Sequence, residues 1–547
     1  MELHFATVWE SIANAIPEQD AVLQGSTRLR WGEYDERAAR LASVLAATGL
    51  RRGSKVALYL YNSFAYAEAH FAALKLGAVP VNVNYRYLAD ELAYVVENSD
   101  AEAVVFHTSL GRQVEQVRRR VPTVRLWLAV DDGGGLPDGT EGYEAVLRAA
   151  PPAARIRRYD DDPYLVYTGG TTGRPKAVVY RIGDQVSSFL AQLSSLLRAN
   201  GLRGAADAAP LARRLADEGR RYVVLPTAPL MHGTGLWAGL VVPHLAGGAS
   251  VLLRSRSFDA GEVWATAESQ SVTALAIVGD AIARPLLRRL QETVCSGEPY
   301  ELGRLRFLIS AGAMFSAEVK TALLDLLPDL VIIDTMGATE GVVGVDVTTR
   351  GKRPETARFK LLPTTKVLTE DGREVVPGSG EVGLLAVGGN VPVGYYKDEA
   401  KSAVTFREIG GVRYSIPGDW ATVRADGTIR LLGRGNQCIN TGGEKVFPEE
   451  VEEAVKTHPG VDDCLVFGLP DERFGERVVA VVARAPGATV TEDEIIAHTR
   501  ARLAGYKVPR TVRFGVALPR TASGKADYGA ARRWYADDEV PASPVSG

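Results

Sequence analysis

Apolar residues recur first at helical and then at strand spacing, several times over, along the opening stretch of the chain. DERAARLASVLAATGL (35–50) carries them on one helical face and stops near Gly49. KVALYL (55–60) is a strand-length apolar run, SFAYAEAHFAALKLG (63–77) is helical again, AVPVNV (78–83) is extended, and DELAYVVENSD (90–100) followed by AEAVVF (101–106) repeats the alternation. Strands separated by helices imply crossover connections and a largely parallel sheet. After the glycine-rich DDGGGLPDGTEG (131–142), short apolar runs continue the sheet: PYLVYT, RYVVLP, ASVLLR, VTALAIVG, LRFLISAG and DLVIIDTMG. The Ala- and Arg-rich stretch 197–221 predicts a surface helix with loops.

Beyond Arg353 the pattern becomes one of hairpins. EVGLLAVGG, VRYSI and WATVRADGTIRLLGR are strand-type, with Asp426-Gly427 as a hairpin turn. From Gly433 a mixed unit follows. FPEEVEEAVKTHPG starts a helix with Pro448 and acids in its first turn, and strands DDCLVFG and RVVAVVAR, helix EDEIIAHTRARLAG and strand TVRFGVA come after it. The expected fold class is α/β: a large N-terminal domain, 1–433, with parallel-rich sheets and a β-hairpin-rich region, and a smaller C-terminal α+β domain, 434–547, with a disordered tail after about residue 537.

The length of 547 residues suits more than one domain, and composition narrows the function by exclusion. Lys plus Arg number 63 against 66 Asp plus Glu, a net charge of -3, so no basic field favours nucleic acid. Cys295, Cys438 and Cys464 lie far apart with no CxxC spacing, which excludes a disulfide framework and a structural zinc site and fits a reducing, cytoplasmic setting. The first twenty residues carry acids and Pro17 where a signal peptide needs a basic start and an apolar stretch. Residues 222–253 are uncharged over more than the roughly twenty residues a bilayer requires. Their prolines and glycines predict instead buried strands and turns around a pocket, with Gly233 and Gly235 as small residues that leave room.

The stretch that carries chemistry is YTGGTTGRPK (167–176). A strand leads into glycines, threonines, an arginine and a lysine, so backbone amides, hydroxyls and cations converge on one loop, as a polyphosphate needs. It is not a Walker A loop, because GK[ST] is absent and AVVYR after it is extended. Gly378, Gly380 and Gly383 satisfy GxGxxG, but strand-like LLAVGG follows, so they mark a turn.

Further motifs stand in order along the chain: PLMHGTG (229–235), SAGA (310–313), MGATEG (336–341), YSIPGDW (414–420), LLGRGNQCINTGGEKVFPEEVE (431–452) and PRTASGK (519–525). Together with the loop they resemble the adenylate-forming superfamily of acyl-CoA synthetases, adenylation domains and luciferases over nearly the whole chain. IVGDAIARPL, IPGDWATV and LAGYKVPR look most like actinobacterial ligases of long-chain fatty or steroid side-chain acids. The resemblance implies two steps: a carboxylate attacks the α-phosphate of ATP to give acyl-AMP and pyrophosphate, and the thiol of CoA then displaces AMP. ATP, Mg2+ and CoA are the implied cofactor and co-substrates, and a hydrophobic carboxylic acid is the implied substrate. Loading of an acyl or aryl group onto a carrier protein is the alternative. Monomer and homodimer both fit.

By the same resemblance Thr168, Thr171, Thr172 and Lys176 form the triphosphate loop, and Glu340 is the magnesium-ligating glutamate. Gly312, Met336, Gly337 and Thr339 lie along the nucleotide, and His232 steers the carboxylate at the mouth of the acyl pocket, whose wall includes Gly279 and Ala281. Asp419 accepts both ribose hydroxyls, Arg434 contacts the ribose, and Asn436 is the hinge about which the C-terminal domain moves. Lys525 reaches the α-phosphate and the carboxylate during adenylation, and Gly442 and Gly443 line the pantetheine tunnel afterwards. The chain departs from the family at Gly169, usually serine, at Ala177, usually glycine, and at Met336, where an aromatic commonly stacks on adenine.

Overall fold

The helix Phe64–Lys75 shows how the first sheet is assembled. The Ser63 side chain accepts from the backbone of Tyr66 and starts the helix, and Gly77, at φ +70°, ends it in a conformation glycine adopts freely. The chain then enters the strand Val79–Asn82, which lies parallel to Lys55–Tyr59 in a strand-helix-strand unit. The computed structural model describes residues 3–168, 175–199, 201–434, 437, 439–441, 444–471, 475–503, 505–521 and 526–536. The chain divides into two compact units. One comprises Met1–Val342, Val347–Pro354 and Gly388–Ser415, and the other Val343–Asp346, Glu355–Val387 and Ile416–Gly547.

In the first unit one parallel sheet runs in the order Val79–Asn82, Lys55–Tyr59, Ala101–His107, Leu126–Val130, Glu141–Gly142. A second places Ala249–Leu252, Val223–Pro226, Ala274–Ile277, Phe307–Ala311 and Val331–Ala338 side by side, all parallel, with the hairpin Asp20–Gln24 and Thr27–Arg30 at one edge. A small antiparallel sheet joins Pro163–Thr168, Lys176–Arg181 and Gly394–Tyr395. The expected parallel-rich α/β architecture is therefore present.

One expectation is met and another needs correction in part. The stretch 197–221 contains the expected surface helix, Ala205–Asp217, with Arg213 and Arg214 exposed. Ala208, Leu211, Ala212 and Leu215 are buried in the main core, and the helix packs along Phe5–Ala15. Ala208 and Ala212, four residues apart, lie on the face that makes this close approach. In 222–253 the expected buried strands stand at the two ends, Val223–Pro226 and Ala249–Leu252, but the middle is the helical run Thr234–Val241, wound wider than an α-helix and continued by Val242–Leu245. Apolar residues all round give no period by which helix and strand can be told apart.

In the second unit the hairpins form one antiparallel array in the order Arg358–Leu361, Thr428–Arg434, Asp419–Val423, Val382–Val387, Thr365–Leu368. Gly378 and Gly380 have φ of +81° and +76° in the turn before Val382–Val387, so the GxGxxG match is a turn, as expected. The C-terminal sheet is built on the long pair Val461–Asp471 and Gly475–Arg484. Alternate residues face opposite ways. Cys464, Val466, Ala480 and Val482 pack with Val451, Val455 and Ile495 of the helices Pro448–Lys456 and Glu492–Arg500, whereas Leu465, Phe467, Val479 and Val481 pack with Ala531 and Tyr535 of Tyr528–Ala536. The tail after 537 lies outside the described residues.

Candidate active site

In the first unit the strands Pro163–Thr168 and Lys176–Arg181 pair so that Thr168 and Lys176 stand opposite each other, bracketing the phosphate loop at its two ends. Thr171 and Thr172 lie outside the described residues. Lys176 Nζ is 2.9 Å from Asp398 Oδ2 and 5.7 Å from the centre of the Tyr395 ring. Tyr395 is brought there by strand pairing, since Gly394–Tyr395 lies antiparallel to Val178 and Val179. Its hydroxyl donates to Glu340 Oε1 at 2.6 Å. Glu340 is 9% exposed and sits in the tight connection between Val331–Ala338 and Gly341–Thr348. On the adjoining strand Tyr180 donates to the carbonyl of Thr339, and burial followed by the Glu340 charge pushes the Tyr180 hydroxyl up. A hydrogen bond from Lys176 holds Asp398 below the usual carboxylate range. One lysine, one braced carboxylate and two tyrosines thus converge at the base of the loop.

The remaining expected residues of this unit lie on neighbouring strand ends. Gly312 follows Phe307–Ala311 with φ +88°. Met336 is 8% exposed and shares a strand face with Ile332 and Asp334. At Gly337 a Cβ would come within 2.9 Å of the Gly341 carbonyl, so the tight hairpin excludes a side chain there. His232 is half-buried in the turn before Thr234–Val241, with its N–H bonded to the Pro229 carbonyl at 3.0 Å.

The expected pocket-lining role of the glycines needs correction. A Cβ at Gly235 would lie 2.2 Å from the Pro229 carbonyl oxygen, and one at Gly279, where φ is +49°, would lie 2.2 Å from that of Met314. Both are small because backbone packs against them, not because they leave space.

In the second unit Asp419 opens the strand Asp419–Val423 and Arg434 closes Thr428–Arg434, and the two are direct cross-strand partners. A bulge between Trp420 and Ala421 leaves Leu432 as the extra residue on the partner strand, and that one-residue shift aligns Asp419 with Arg434 instead of Gly433. Gly433 has φ +121°, and a Cβ there would meet the Glu449 carboxylate at 2.0 Å. Asn436, Gly442, Gly443 and Lys525 lie outside the described residues.

The AMP-binding enzyme family matches residues 9–396 and the AMP-binding enzyme C-terminal domain matches residues 450–525. The chain belongs to the AMP-binding enzymes. The 3-oxocholest-4-en-26-oate–CoA ligase of Rhodococcus rhodochrous is 41% identical over 544 residues, covering 98% of this chain and 96% of that protein. The medium/long-chain-fatty-acid–CoA/3-oxocholest-4-en-26-oate–CoA ligase of Mycolicibacterium smegmatis is 40% identical over 556 residues, covering 100% and 98%. Among solved structures, ATP-bound MatB from Rhodopseudomonas palustris superposes with a TM-score of 0.78 at 27% identity, over 98% of this chain and 100% of that one.

Tyr395, Tyr180 and Asp398 had escaped the sequence reading of this AMP-binding enzyme. The segment VGYYKDEA holds two of them, but nothing local connects it to the loop at 167–176. The connection is made by long-range pairing with Val178 and Val179.

Proposed function

We propose that this protein is an ATP-dependent acyl-CoA ligase that converts a carboxylate, ATP and CoA into acyl-CoA, AMP and pyrophosphate through an acyl-adenylate. Its acid is bulky and hydrophobic, a long-chain fatty acid or a steroid side-chain acid. The observation that carries this reading is the cluster of Lys176, Tyr395 and the buried Glu340 at the base of the phosphate loop. The substrate class rests on the names of relatives that align end to end with this chain.

Adenylation forces two anions together and expels a third, so oriented donors and cations have to offset that charge. Lys176 and the threonines at 168, 171 and 172 hold the polyphosphate, and Asp398 keeps the lysine at the loop's edge. The donor set around Glu340 suits magnesium, which takes few protein carboxylates and fills its remaining positions with phosphate oxygens and water. When bound, Mg2+ would be held by Glu340 and would supply positive charge against the polyphosphate. Tyr395 fixes the direction of the Glu340 carboxylate. Gly312, Gly337 and Thr339 lie along the nucleotide with Met336, Asp419 accepts the ribose hydroxyls, and Arg434 sits beside it. His232 steers the incoming carboxylate, and Lys525 bridges it to the α-phosphate. In the second step Gly442 and Gly443 admit the pantetheine arm, with 434–547 moving about Asn436.

The test is AMP release from ATP with a panel running from acetate through palmitate to 3-oxocholest-4-en-26-oate, each assayed with CoA and with a phosphopantetheinylated carrier protein. At about 0.8 kcal/mol per buried methylene, long or polycyclic acids should exceed acetate in kcat/KM by roughly several powers of ten. Acetate as the best acid would reject the substrate class, and faster release with the carrier would favour carrier loading.

A further inference from the structure

The second unit buries more charge than its apolar cores need. Glu452, on Pro448–Lys456, is 4% exposed, and its Oε1 accepts from the backbone N–H of Val466 at 2.9 Å and from the Tyr528 hydroxyl at 2.9 Å. One turn along the helix, Lys456 Nζ lies 3.0 Å from Asp463 Oδ1. Arg520 donates to the other oxygen of Asp463. Removing charges from water is expensive, and apolar side chains of similar size often stabilise as well or better, so a network of this kind is better explained by the geometry it enforces.

That geometry concerns the pairing of 519–520 with 526–527. The Asp527 N–H bonds to the Pro519 carbonyl at 3.1 Å, and Arg520 and Ala526 form an antiparallel bridge, so 519–520 and 526–527 pair into a narrow neck. Arg520 is the last neck residue on one side, and Tyr528 follows the neck on the other. Arg520 runs to Asp463, on the strand Val461–Asp471, and Tyr528 runs to Glu452, whose Oε1 is shared with Val466 of that same strand. Both arms of the neck are thus tied to one helix-strand pair. The Arg520 guanidinium is a rigid planar fork, so its pairing sets a direction and not only a distance.

We propose that the pairs Asp463–Arg520 and Glu452–Tyr528 are positioning devices for adenylation, fixing the neck on either side of Lys525 in the sequence. The proposal rests on the role given above to Lys525. On this proposal the four residues have no direct part in the chemistry. They act through the lysine, so they matter in the step that uses it and not in thiol transfer.

The experiment uses the full chain with ATP, Mg2+ and the best acid of the panel. Pyrophosphate exchange reports adenylation, and acyl-CoA formation from synthetic acyl-AMP and CoA reports the thiol step. Lys525→Ala should lower adenylation by about 100-fold or more and spare the thiol step. Arg520→Lys, which keeps the charge and loses the fork, and Tyr528→Phe should each lower kcat for adenylation by about 10-fold, with KM for ATP and the thiol step within about twofold of the parent. Asp463→Asn should do at least as much, and Asp463→Glu should recover part of the loss. Normal adenylation in folded Arg520→Lys and Tyr528→Phe, with Lys525→Ala defective, would overturn the brace while leaving the lysine's role standing. Equal loss in both half-reactions would make the network merely structural. Normal adenylation in Lys525→Ala would remove the lysine's role and the brace with it.

Discussion

The hydroxyl of Tyr395 is what separates Glu340 from an ordinary glutamate in a hairpin turn. It donates at 2.6 Å to a carboxylate that is 9% exposed, and a hydrogen bond to a charged group contributes about 1.5 to 3 kcal/mol. Tyr395→Phe keeps the ring beneath Lys176 and removes only that bond. Adenylation should fall by roughly 10- to 100-fold and need more magnesium, as followed by pyrophosphate exchange across a Mg2+ titration. An unchanged Mg2+ curve would leave Tyr395 as packing. Deeper in the core, His70 and His244 are 1% and 0% exposed, and desolvation lowers each from 6.5 to about 3. Their neutral forms are what the core accommodates. An unfolded chain therefore binds protons below about pH 6.5 that the folded chain does not take up until near pH 3, so stability is full above that window and falls as pH drops through it. Each histidine should contribute up to about 1.4 kcal/mol per pH unit, measurable as the urea midpoint of the first unit between about pH 7 and pH 4.5. His244→Asn should remove about one proton from that slope, and a flat profile in the parent would contradict the burial of neutral imidazoles. Residues inside a contiguous motif, such as Asp419 and Glu340, were legible in the sequence. Tyr395 was not, because its partner is 55 positions away along the chain.

At the scale of elements, the hairpin from Asp419 to Arg434 was legible in its turn and hidden in its register. Asp426-Gly427 announces the turn, and Gly427 takes φ +76°. Nothing in the sequence announces that Leu432 is extra, yet without that bulge Asp419 would face Gly433 and Arg434 would have no partner on the opposite strand. Gly433 makes the bulge affordable through its φ of +121° and its contact with Glu449. Gly433→Ala should therefore behave as a nucleotide-site mutation without touching nucleotide. It should cost about 1 to 3 kcal/mol of stability through strain and weaken AMP binding by roughly the amount seen for Asp419→Ala, both followed by titration and thermal unfolding. AMP affinity unchanged from the parent would show that the register does not matter. The same reasoning reverses an expectation about Gly279. Because a Cβ there meets the Met314 carbonyl at 2.2 Å, Gly279→Leu should destabilise the start of the helix Gly279–Cys295 and depress turnover of short and long acids alike. Selective loss of bulky acids would restore Gly279 to the pocket wall.

Over the whole molecule, the order of helices and strands could be followed wherever one face of an element was polar. It was lost where an element was apolar on all sides, as at Thr234–Val241. The proposed division of labour between the two half-reactions belongs to this largest scale, because it would have one C-terminal segment supply different residues at different times. On the function proposed above, Lys525 acts while carboxylate and α-phosphate are pressed together, and Gly442 and Gly443 act only once a thiol approaches. These positions are about eighty residues apart within 434–547, and a rigid segment presenting one to the nucleotide cannot also present the other unless the chain before it rotates. Asn436 is where the rotation is proposed, and proline there fixes φ near -65°. Asn436→Pro should then adenylate at close to the parent rate and transfer acyl to CoA at least about 10-fold more slowly, the mirror image of Lys525→Ala. Burst kinetics separate the cases: the variant should accumulate about one equivalent of enzyme-bound acyl-AMP per chain before turnover, and transfer at the parent rate would place the hinge elsewhere or remove it.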